Sequence, residues 1–120
     1  MSEGRTAWPY RGVHRVLGAA GTVATQMADR GWDVALVQPS TTDDQLWDGL
    51  VAALGLPGWF GRNLDALDEA LRDLVRPTAL VLATWTRYAR ARSERWERLL
   101  HVLEERADEP EPKLVVLLAD

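Results

Sequence analysis

The chain has 120 residues, 47% of them apolar and 27% charged, the size and balance of one soluble globular domain with a single core. No apolar run approaches the roughly 18 residues a membrane span needs. The absence of cysteine removes disulfides, thiol nucleophiles and thiolate metal sites, and a net charge of −4 argues against direct nucleic-acid binding, which needs cations to neutralise phosphates.

Residues 1 to about 12 are polar, with Gly and Pro and no period, and read as an irregular lead-in. Arg5, Arg11 and Arg15 precede a mildly apolar stretch at 16 to 24, but it is short, broken by glycine and preceded by Glu3, unlike a secretory signal. A cytoplasmic location is expected. Residues 21 to 31 suit a short helix with Thr22 as cap and Gly31 as stop. The continuous apolar run at 32 to 38 suits a buried strand ended by Pro39. Next, Leu46, Trp47, Leu50, Val51 and Leu54 recur at helical spacing behind the capping candidates Thr41, Thr42 and Asp43, and Gly55 and Pro57 end the helix. Leu64, Leu67, Leu71 and Leu74 repeat that pattern up to Pro77. A second buried strand is expected at 78 to 84. Residues 86 to 95 read as a solvated loop and helix start, 93 to 107 as a helix capped by Ser93, and 113 to 119 as a third strand.

Apolar strands alternating with helices define an α/β class with a small parallel sheet, because parallel strands need crossovers and covering layers. The expected architecture is three parallel strands packed with three to four helices in one domain over 1–120. Within it, 32–120 forms the core and 1–31 an N-terminal extension with a short helix.

Catalytic constellations are missing. His14 and His101 lack neighbours at metal-ligand or triad spacing, and the "GAAG" at 18 to 21 lacks the lysine of a phosphate loop. No enzyme, metal or cofactor is expected. The informative stretch is "LPGWFGRNLDAL", residues 56 to 67, which holds the only Phe and the only Asn of the chain. Trp32, Trp47, Trp85 and Trp96 fall where core packing explains them. Trp59 and Phe60 instead stand in a turn between glycines, where two large rings cannot both hide. Asn63 suits a helix cap or a left-handed turn residue. Beyond it, Asp65, Glu69 and Asp73 form an outward acidic stripe of like charges four apart, which costs a helix a few tenths of a kcal/mol per pair. Asp68 is spaced to pair with Arg72. A second acidic cluster, 104 to 111, sits at a helix C-terminus, where the dipole disfavours it.

The stretch "LPGWFGRNLDALDEAL" resembles the signature of the barstar family of intracellular ribonuclease inhibitors, in the order of proline, two aromatics, Gly-x-Asn and an Asp-Ala-Leu helix. A weaker similarity runs from residue 32 to the C-terminus. The resemblance implies a barstar-like fold and a partner-binding surface made by Trp59, Phe60, Gly61, Asn63, Leu64, Asp65, Ala66, Glu69 and Asp73, with Glu105 assisting from the last helix. It also implies the partner, a secreted-type ribonuclease with a cationic active site, in which Asp65 and Glu69 imitate RNA phosphate. The free chain is expected to be a monomer. Here the pattern departs from the family's: Glu69 replaces an Asp, Trp59 and Phe60 replace two tyrosines, and Arg72 enters beside the face. One alternative is a barstar-like interaction or regulatory module without a ribonuclease, anchored by Trp59 and Phe60. Another is a small hydrolase that pairs Asp65 and Glu69 around a metal.

Overall fold

In the computed structural model, which describes residues 11–109 and 113–120, four strands and five helices alternate along the chain. Strand β1 is Gly12–Arg15, β2 Asp33–Val37, β3 Thr78–Ala83 and β4 Leu114–Ala119. They form one sheet in the order β1-β4-β3-β2, every pair parallel. The three apolar runs seen in the sequence are β2, β3 and β4. The fourth strand, β1, corrects the expected three. Its "GVHR" begins where the irregular lead-in was expected to end, in a stretch to which no element was assigned, and it is too short and polar to show a strand pattern by itself. Val13 beside Val116 and Val16 N–H donating to the Leu118 carbonyl show that β4 recruits it.

The helices are α1 (Ala20–Asp29), α2 (Asp43–Leu54), α3 (Leu64–Arg72), α4 (Thr86–Ala91) and α5 (Ser93–Ala107). Helix α4 is the correction to the loop expected at 86 to 95. A six-residue helix shows too little period to be read, and Tyr88, its buried residue, supplies the packing that holds it. Helix α1 begins at Ala20 rather than behind a Thr22 cap. The Ala20 N–H donates to the Asp120 carbonyl at 2.9 Å, so the end of β4 satisfies an amide that a side-chain cap would otherwise serve.

Two apolar clusters lie on opposite faces of the sheet. On one, Ala35, Val37, Leu80, Leu82, Leu114, Val116 and Leu118 meet Leu46 and Leu50 of α2, Leu67 and Leu71 of α3, Tyr88 of α4, and Trp96, Leu99 and Leu103 of α5. On the other, Ala79, Val81, Val115, Leu117 and Ala119 meet Ala20, Val23 and Met27 of α1, with Val16 and Trp32 packed against them. That asymmetry follows from topology. β1 and β2 occupy opposite edges, so the connection between them, α1, crosses the face the other helices leave bare. Each fully buried Leu or Val contributes roughly 1.5–3 kcal/mol relative to exposure. Residues 12 to 31 are thus layered onto the sheet, and α3 lies on the crowded face against α5.

Candidate functional site

The segment from 55 to 73 is built to hold one helix end still. Helix α2 stops at Gly55, whose φ of 65° is a left-handed value that glycine adopts without a Cβ clash. The chain then turns, with Phe60 N–H donating to the Pro57 carbonyl at 2.9 Å. The two rings part company here. Trp59 is 86% exposed, while Phe60 is half-buried against Trp47 with ring centroids 6.1 Å apart.

Asn63 is an extended N-cap whose Oδ1 accepts from Ala66 N–H at 2.9 Å, and its Nδ2 donates back to the Gly61 carbonyl at 2.9 Å. Of the two roles open to it, capping is the one it takes. The left-handed residue of the turn is Arg62, with φ 46°, which costs a non-glycine residue about 1–2 kcal/mol. Its guanidinium meets Asp48 of α2 at 2.8 Å, tying the turn to the helix before it. A Cβ on Gly61 would come within 3.1 Å of Asn63 Nδ2, so the bond between them needs a bare backbone there.

Helix α3 buries Leu67 and Leu71 and turns Asp65 and Glu69 outward. Neither carboxylate has a cationic partner among the described residues. Asp73, exposed, holds the C-cap position and donates its N–H to the Glu69 and Ala70 carbonyls. Leu64 and Ala66 are half-buried at the helix start. The carboxylate that turns inward is Asp68. It lies 3.1 Å from Arg72, as the spacing indicates, and 2.9 Å from Arg106 of α5. The Arg106 contact is a close ion pair but not an aligned hydrogen bond, because Nε–H does not point along the line to Oδ1. Arg72 is therefore drawn toward Asp68 instead of standing alone beside the acidic stripe. Sequence reading missed the Arg106 link, because only folding brings α5 beside α3. Glu105, next to Arg106, is exposed and pairs with His101 at 3.4 Å.

Burial, and then the carboxylate of Asp43, push the Tyr88 phenol well above its ordinary value, since its hydroxyl donates to Asp43 Oδ1 at 2.6 Å. The same carboxylate holds Arg95. Among the described residues there is no group of three or more metal-ligating side chains, and no helix is long and apolar enough to cross a membrane.

The described residues thus form a three-layer α/β fold that displays a capped acidic helix end beside an exposed Trp. Its family model, described as Barstar (barnase inhibitor), matches residues 35–119. The chain belongs to the barstar family. A search of curated proteins finds no match to it.

Proposed function

We propose that the chain is an intracellular inhibitor of a barnase-class ribonuclease and that it blocks the active site with the first turns of α3. The observation that carries the reading is the pair Asp65 and Glu69, exposed on a capped, packed helix with no cation paired to them among the described residues. A ribonuclease pocket that holds RNA phosphate with Arg, Lys and His side chains is complementary to two carboxylates held at fixed spacing. Because α3 is already ordered, little entropy is lost on docking. Trp59 supplies apolar area beside the charges, and Gly61, Asn63, Leu64 and Ala66 form the close-packed turn between them. Phe60 acts from beneath by holding Trp59 outward, while Asp73 and Glu105 extend the negative field at the edge. In this reading the whole chain acts as one domain, free as a monomer, in the cytoplasm, without cofactor or metal.

The test is RNA cleavage by a barnase-class ribonuclease, starting with one encoded beside this chain, in the presence of equimolar inhibitor. Cleavage should cease. Asp65→Ala or Glu69→Ala should each weaken binding by about 2–5 kcal/mol, the general range for truncating one member of a buried charge pair, to which measurements on barnase and barstar themselves contribute. Undiminished cleavage, or inhibition indifferent to both substitutions, would exclude the mechanism. The exposure of Trp59 favours a second reading, an apolar-anchored regulatory module with another partner. Its binding would barely respond to salt, whereas carboxylate-driven inhibition slows and weakens as salt rises.

A further inference from the structure

Beside the acidic stripe lies a surface of opposite sign. Between α2, the turn before α3, α4 and the first half of α5 there is an open groove of about 330 Å³, with Trp47, Leu64 and Leu99 in its walls and Arg62, Arg95 and Arg98 among its lining residues. Asp43 is the one acid that lines it, so three guanidiniums face one carboxylate on a chain whose net charge is −4. Two of the three are engaged, Arg62 with Asp48 and Arg95 with Asp43. Arg98 is exposed and has no carboxylate partner among the described residues.

The lining selects the occupant. Tyr88 is only 5% exposed and its hydroxyl is held by Asp43, while Trp47 is packed against Phe60. Tyr88 therefore offers no open face for a base to stack on, and because Asp43 is already engaged by Tyr88 and Arg95, Arg98 is the one charge left over in the lining, which a single carboxylate balances. What remains is an apolar wall of the half-buried Trp47 and Leu64 beside a guanidinium with no carboxylate partner among the described residues, the chemistry that grips a carboxylate side chain through paired N–H donors. The groove borders the start of the acidic helix: Asn63 and Leu64 line it, and Asp65 follows them in the chain.

We propose that this groove receives an acidic side chain of the same protein partner that meets Asp65 and Glu69, with Arg98 as the pairing cation. The proposal rests on the inhibitor reading above. It makes the partner's contact surface bipolar, a carboxylate beside a cationic pocket, and it gives the chain a means of rejecting ribonucleases that carry only cations there.

The probe is the ribonuclease the chain inhibits, and the measurement is its affinity for Arg98→Glu at low and high salt, with circular dichroism to verify folding. General attraction between an acidic inhibitor and a cationic enzyme makes Arg98→Glu bind more tightly. The groove contact makes it bind about tenfold more weakly at low salt, with the loss shrinking as exposed charges are screened. Arg98→Gln should fall between the two. Arg87→Glu, on an exposed α4 position outside the groove, should bind unchanged or more tightly. Unchanged or tighter binding by Arg98→Glu, while Asp65→Ala still weakens it, overturns this proposal alone. If the unaltered chain inhibits no barnase-class ribonuclease, this proposal and the inhibitor reading both fall.

Discussion

Asn63 does two jobs with one amide, closing the first turn of α3 through Oδ1 and bracing Gly61 through Nδ2. Removing both by Asn63→Ala should cost about 1 kcal/mol, the usual loss for a helix cap, measured as a lower urea midpoint with an unchanged denaturant slope. At this scale much was legible. Asn followed by Leu-Asp-Ala reads as a cap, and the Trp-Phe pair reads as one ring in and one ring out. The left-handed residue was not legible, since Gly61 and Asn63 are both better suited to it than Arg62. Arg62 takes that conformation between the Asn63 cap on one side and a solvent-exposed salt bridge to Asp48 on the other.

At the scale of elements, α3 is aimed by what lies behind it. Leu67 and Leu71 seat it in the core, and Asp68 reaches Arg106, whose side chain is only 17% exposed. Arg106→Ala leaves the half-buried Asp68 with Arg72 alone, and should lower stability by about 1–3 kcal/mol, the range for stranding a buried polar group, read from urea unfolding. Helix α4 is tied to α2 by the Tyr88 hydroxyl on Asp43. That tie has a pH signature. The phenol is held protonated in the folded state beyond its ordinary value near 10, so above about pH 10 the unfolded chain loses a proton that the folded chain keeps. Stability is therefore fully present below about pH 10 and falls as the pH rises above it. In Tyr88→Phe the contribution is absent at every pH. The gap in unfolding free energy between the two proteins, measured by urea titration from neutral to strongly alkaline pH, should narrow above about pH 10.

For the whole molecule, α1 is the one helix on its face of the sheet among the described residues. Met27 of α1 is 2% exposed over Ala79, Val81, Val115 and Leu117. Because that side chain is buried in a packed layer, Met27→Ala should cost about 2–5 kcal/mol, seen as a lower thermal midpoint. The family match begins at residue 35, so β1 and α1 lie outside it and yet complete the sheet edge and its second face. What the sequence determined by itself was everything carried by local period and local chemistry: the strands β2, β3 and β4, the helices α1 (though not its cap), α2, α3 and α5, the turn that starts α3 and the outward acids on it. Those signals survive because each needs only a neighbour three, four or two residues away. Tertiary structure alone decided that "GVHR" is a strand, because β4 offers its free edge; that "TRYARA" is a helix, because Asp43 receives its tyrosine; and that Arg62 shares a groove with Arg95 and Arg98, because the turn before α3 packs beside α5, distant in the chain. Such pairings depend on which surfaces meet after collapse, and no local pattern encodes that.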